Sequence, residues 1–309
     1  MAAPVPPAAP APRPPRALPW AMFALCCTIW GSTFLFIGIG NDTLAPVWAA
    51  ALRLALAAVL LAALALLLRR PWPRGAERRA AVWFGLVDFG VSLPLLNWGQ
   101  REVPSGLAAV LFATIPLTTA LFARAFGLER LRRAQVLASL VAVAGVALLS
   151  SGGAGLAASP WALAAVLGSA VTAALAGVVL KRAPHSDPLA MNAIAHAVGL
   201  PVCVAASAAL GERWTAPAGS GLTSVLYLAT VGSIGAFVAF AVLIRHWTAS
   251  RTAYITVIVP VIAMGLGAAV RGEGLPPRVL AGAAVVIGAV AWGIAGEGRA
   301  GSGPTRRPG

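Results

Sequence analysis

Three ionisable side chains sit inside otherwise apolar stretches of the sequence: Arg53, Asp88 and His196. A charge in hydrocarbon costs roughly 2.5–3.5 kcal/mol on insertion scales, so each is a candidate for function. Arg53 lies seven residues past Pro46, about 10 Å along a helix at 1.5 Å per residue. It could be a fixed cation that binds a carboxylate, a structural ion-pair partner, or a side chain that snorkels to the headgroups. Asp88 lies about ten residues before the outer end of its stretch, about 15 Å deep by the same rise. That is similar to the depth of Arg53, so the two could meet as a structural pair or form a proton-coupling switch. His196 lies eight residues past Pro188 in the second half. It could gate or bind substrate, or simply be hydrogen-bonded between helices.

A second tier is polar but uncharged. Trp30, Thr33 and Phe34 share a helix face at i, i+3, i+4. Trp30 could touch substrate or serve as packing and interface anchor. Asn97 and Gln100 fall at the end of the third stretch. Thr114, Tyr254 and Thr256 lie near Pro116 and Pro260, whose rings kink a helix and free backbone groups that can line a cavity. Pro116 and Pro260 are hinge candidates, with static kinks as the alternative. Candidate substrate contacts are therefore Arg53, Trp30, Thr33, Asn97, His196, Tyr254 and Thr256, and the coupling candidate is Asp88. No nucleophile elbow, zinc-protease motif, phosphate loop or dinucleotide fingerprint occurs. The three histidines have no ligand spacing, and Cys26, Cys27 and Cys203 form no redox or ligand motif. The sequence therefore points to no catalytic residue, no cofactor and no metal, and it carries no nucleotide site for an ATP-driven pump.

Ten apolar stretches must position these residues: 18–38, 46–68, 80–98, 104–123, 134–151, 160–180, 188–210, 221–243, 250–270 and 278–296. Each is long enough to cross a hydrocarbon layer of ~30 Å. No alternating pattern is sustained, which argues against a barrel. The composition agrees: 59% hydrophobic and 10% charged, against roughly 25% charged for a soluble domain. Residues 1–17 and 297–309 are rich in Ala, Gly, Pro and Arg and read as disordered tails. The net charge of +14 is spread over short clusters between apolar runs, which argues against nucleic acid and for the headgroup layer of a bilayer.

The positive residues also orient the chain. With the N-terminus inside, eighteen of the 23 Lys and Arg fall in inside segments. Only Arg101, Arg213, Arg271 and Arg278 fall outside. This predicts both termini inside and an even number of spans.

The halves repeat. A shift of 144 residues brings Arg101 onto Arg245, Pro116 onto Pro260, Glu129 onto Glu273 and Leu131 onto Leu275. A shift of 143 brings Arg53 onto His196. Five spans per half is odd, so the second half inserts upside down, as in secondary transporters whose substrate site lies near the midplane between repeats. The Glu129 and Glu273 turns read as structural, paired with nearby arginines or with helix N-terminal amides. Small residues on the fifth and tenth stretches, such as Gly145 and Gly288, permit close packing or a homodimer.

Trp30-Gly31-Ser32-Thr33-Phe34, Leu52-Arg53-Leu54, Pro104-Ser105-Gly106-Leu107-Ala108-Ala109 and Leu128-Glu129-Arg130-Leu131 together resemble the EamA-type transporters of the drug/metabolite transporter superfamily. Gly168-Ser169, Pro260 and Gly272-Glu273-Gly274 repeat the pattern in the second half. The resemblance covers roughly residues 18–296. It implies ten helices, one repeat over 18–151 (spans one to five) and a second over 160–296 (spans six to ten). It also implies a carrier in the bacterial cytoplasmic membrane, often an exporter of amino acids, related metabolites or drugs. The resulting expectation is an all-α integral membrane protein of ten transmembrane helices in two inverted five-helix repeats. It would move a small metabolite by alternating access, with proton-coupled efflux as the leading mechanism. The alternatives are a lipid-modifying membrane enzyme and a non-transporting helper or sensor. The partners implied are the lipid bilayer, a small-molecule substrate and protons.

Overall fold

A computed structural model of the chain describes residues 17–127, 133–150, 158–181, 186–247, 252 and 255–301. Apolar composition dictates the elements. With no water in the hydrocarbon layer, backbone groups must bond within their own helix or in a closed barrel, and the described residues are helical with no strand. The helices are α1 (Ala17–Asn41), α2 (Pro46–Leu67), α3 (Gly75–Gly99), α4 (Ser105–Ala125), α5 (Arg133–Ser150), α6 (Pro160–Lys181) and α7 (Pro188–Ala209). They continue as α8 (Gly219–Ala229, Thr230–Gly235 and Ala236–His246), α9 (Ile255–Arg271) and α10 (Pro277–Gly301). Among the described residues, seven helices are long and apolar enough to cross a bilayer, and three shorter apolar helices lie at Val136–Gly145, Ile255–Arg271 and Pro277–Gly293. Helix α10 runs on to Gly301, past residue 296 where the disordered tail was expected to begin.

Among the described residues, two helices carry a π-helical segment. Gly85–Ser92 within α3 and Thr230–Gly235 within α8 are wound as π-helix, with bonds reaching five residues back. Under the 144-residue register the first falls on 229–236, so the deviation recurs at the same place in both halves.

Packing repeats in the same way. α1 lies against α8 and α9, while α6 lies against α3 and α4. α3 packs on α7, and α8 on α2. Three pairs join like to like across the halves: α2 with α7, α4 with α9, and α5 with α10. Exchanging each helix for the one five places on leaves these neighbours unchanged, as a pseudo-two-fold axis between two repeats requires. The largest apolar core lies among α1, α4, α6, α9 and α10; two smaller ones fill the α2–α7 seam. Arg101, Arg213 and Arg271 sit at loops or helix ends of one face, called here the arginine-poor face.

Candidate functional site

Arg53, Asp88 and His196 converge. Arg53 is on α2 and 9% exposed. Its Nε is buried with no partner, and among the described residues no hydrogen bond reaches its guanidinium. Asp88 is half-buried in the π-helical part of α3, and no hydrogen bond from a described residue reaches its carboxylate. The two charges attract across the gap between their helices, yet no nitrogen–oxygen contact of 4.0 Å or less joins them. Arg53 and Asp88 therefore form no direct ion pair. His196, on α7, is fully buried. Its Nδ1 lies 2.8 Å from the Asn192 carbonyl oxygen and its ring centroid 4.0 Å from that of Phe89.

Local sequence explains the wall around these groups. The Leu93 N–H bonds the Asp88 carbonyl, five residues back. In that register the next donor would fall to the Phe89 carbonyl, but the next residue is Pro94, which has no N–H. The Phe89 oxygen instead accepts from Cys203 Sγ on α7, at 3.3 Å. Two glycines let α3 and α7 approach this closely. A Cβ on Gly85 would stand 2.5 Å from the Ala195 carbonyl oxygen, and one on Gly199 would collide with Phe89. Ser92 and Ser169 tie α3 to α6 by reciprocal bonds: Ser92 Oγ donates to Ser169 O (2.9 Å), and Ser169 Oγ donates to Ser92 O (2.7 Å).

The remaining candidates lie elsewhere. Asn97 is 3% exposed; its Nδ2 donates to Leu93 O at 2.9 Å, and its own carbonyl accepts from Asn41 Nδ2 at 3.1 Å. It is a strut between α1 and α3. Gln100 makes a second strut, its Nε2 donating to Phe34 O at 3.0 Å. Thr33 Oγ1 donates back to Ile29 O at 2.9 Å, and the Trp30 ring packs 5.4 Å from that of Phe240 on α8. Thr33 also faces Gly232, the repeat counterpart of Asp88. Thr256 is half-buried in the first turn of α9. Tyr254 and the Glu129 turn lie outside the described residues.

The two hinge candidates are not alike. Pro116 starts the second segment of α4, after a break at 113–114, whereas Pro260 is buried inside α9. Glu273 does what the sequence suggested of it: its carboxylate accepts from Ser105 N, Ser105 Oγ and Gly106 N at the start of α4, with Arg271 3.8 Å away. Sequence reasoning gave Cys203 no role, named Ser169 only within the repeated Gly168-Ser169, and passed over Phe89 and Ser92. Only Pro94, one residue past the π turn, could have pointed to them.

The profile of the EamA-like transporter family matches residues 18–151 and again 160–294. The chain is 34% identical over 257 residues to a protein of Escherichia coli K12 named uncharacterized inner membrane transporter YedA, covering 82% of this chain and 83% of that one. It is 28% identical over 288 residues to a probable terminal-alkyne amino-acid exporter of Streptantibioticus cattleyicolor, covering 87% and 92%. A crystal structure at 21% identity superposes with a TM-score of 0.61, covering 93% of this chain and all of that one, and shares its fold. With the profile matching both halves in turn, the chain belongs to the EamA-like transporter family.

Proposed function

We propose that this protein is a secondary carrier in a bacterial inner membrane, both termini inside. It exports a small amino-acid-like solute in exchange for protons. One observation carries the reading: a buried arginine and a carboxylate attract each other near the α2–α7 seam without touching, and among the described residues neither has a hydrogen-bond partner. An unsolvated charge left unpaired is costly. A solute bearing a carboxylate and an ammonium would neutralise both, with the carboxylate held by the planar guanidinium and the ammonium beside Asp88. Asp88 can also take a proton when the solute leaves, which would couple the two movements. The relative named as an amino-acid exporter is in keeping with such a solute. The seam joins like helices across the pseudo-two-fold, the place where repeats rock against each other in carriers of this architecture.

The test uses purified protein in liposomes with a trapped pH dye. Amino acids and related solutes are screened for solute-dependent proton movement. The expected result is a signal for one class of zwitterion that Asp88→Asn removes while the protein stays folded. A signal that survives Asp88→Asn would remove the coupling role, and silence across a broad panel would remove the proton-coupled reading.

A further inference from the structure

Four polar ties hold the arginine-poor face, and each joins one half of the chain to the other. Arg271, at the end of α9, grips Asp42 after α1 with both terminal nitrogens, at 2.7 and 3.0 Å. Glu273, with its side chain 12% exposed, caps the start of α4 through the bonds to Ser105 and Gly106. Glu102 accepts from Ser159 N, at the start of α6, at 2.7 Å. Glu212 accepts from Val47 N (3.1 Å) and Trp48 N (2.8 Å), at the start of α2. Hydrogen bonds to an ionised group are the stronger kind, and a carboxylate at a helix N-terminus also meets the positive end of the dipole.

The backbone is shaped for the first two ties. Gly272, at φ +63°, turns the chain back at the end of α9, and the Glu273 N–H closes onto Gly267 O at 3.2 Å. A side chain on Gly267 would collide with the Glu273 carboxylate, and a Cβ on Gly38 would stand 3.4 Å from Arg271 Nε. Above these residues is a cleft of about 210 Å³ lined by Gly38, Gln100, Val103, Pro104, Arg271 and Glu273. Its charges already hold each other, and the neighbouring Arg101 rests on Trp98 at 5.9 Å, so the cleft presents no free pair to a ligand. Among the described residues, two buried amide oxygens, Gln100 Oε1 and Asn41 Oδ1, have no partner in this closed arrangement. Orphaned acceptors disfavour closure and the charged ties favour it.

We propose that Asp42–Arg271 and Glu273–Ser105/Gly106 are the gate of the arginine-poor face, shut in this structure and broken when the halves part there to release solute. The gate rests on the carrier reading above, and its test does not use transport. Val103 is 2% exposed in the wall of the cleft and belongs to neither tie. The variant Val103→Cys, in the full chain in sealed vesicles of known orientation, is labelled with a membrane-impermeant maleimide from the arginine-poor face. The parent chain, whose three cysteines are buried, sets the background.

Labelling should be slow in Val103→Cys alone. It should speed up about tenfold or more when Arg271→Ala or Glu273→Gln is added, as the loss of a charge-assisted bond implies. The charge exchange Asp42→Arg with Arg271→Asp should restore slow labelling, which a merely misfolded variant would not do. Labelling unchanged by both Arg271→Ala and Glu273→Gln overturns the gate, whatever the flux assay shows. Faster labelling with no solute flux would leave the gate standing and count against the carrier reading alone.

Discussion

Arg53 places a delocalised cation beside a seam of alanine and leucine, with Asp88 too far to quench it. The size of its effect on binding follows from chemistry. A hydrogen bond to a charged group contributes about 1.5–3 kcal/mol, so Arg53→Ala should raise the apparent KM for an anionic or zwitterionic solute by roughly ten- to a hundredfold. Arg53→Lys should recover only part of the loss, because an ammonium lacks the planar fork. Flux titrations on the three proteins decide this, and an unaltered KM in Arg53→Ala would return the residue to a structural role. Asp88→Asn makes a different prediction: pH-driven flux is lost outright, while binding of a zwitterion weakens only by the ammonium's share. Neither residue type is ambiguous in the sequence, since a charge within an apolar run stands out against its neighbours. Phe89 and Cys203 were illegible by the same measure, because an aromatic and a thiol within apolar runs look like packing.

At the scale of the helix, the π-helical part of α3 depends on the contact of Gly85 and Gly199 across the α3–α7 interface. Gly199→Ala forces a methyl against Phe89, and overpacking of this kind costs roughly 1–3 kcal/mol. Its melting temperature should fall, whereas Gly177→Ala, with nothing within 4 Å, should leave it unchanged. Equal melting temperatures for the two variants would contradict the close contact. Loops make a pH-dependent contribution of their own. Ser159, through its hydroxyl and its N–H, holds the Glu102 carboxyl below its ordinary value of 4.5. The tie therefore adds stability at neutral pH and loses it as pH falls through 4.5 toward the lower folded value. The melting-temperature gap between the parent and Glu102→Gln should be present at pH 7 and close in acid. A gap independent of pH would assign the difference to something other than the ionised tie. The group is fully exposed to water, so the gap should also shrink with added salt.

At the scale of the whole molecule, the excess of arginine in alternate loops predicts that both tails face the same side, the inside. Epitope tags fused before residue 1 and after residue 309 should become accessible to antibody only in inside-out vesicles. Accessibility of either tag from the other side would reverse the orientation and with it the side on which the gate lies.

The sequence alone determined the class of the protein, because burial in lipid acts on every residue of a run at once and leaves a composition that can be read directly. It also determined the two repeats, since Pro116/Pro260 and Glu129/Glu273 recur in register. It marked Arg53, Asp88 and His196 by the same argument of cost. Tertiary structure alone decided which helices share the site. α2 meets α7 rather than only its chain neighbours, and Arg53 stands open to Asp88 rather than bonded to it. It also decided that Glu102, Glu212 and Glu273 cap helices of the opposite half. Each of these contacts joins residues distant in the chain, and neither the hydrophobic period nor local propensity carries information about a partner that far away. The π-helical turn of α3 falls between the two: Pro94 freed the Phe89 carbonyl locally, but only the approach of α7 supplied the Cys203 thiol that donates to it.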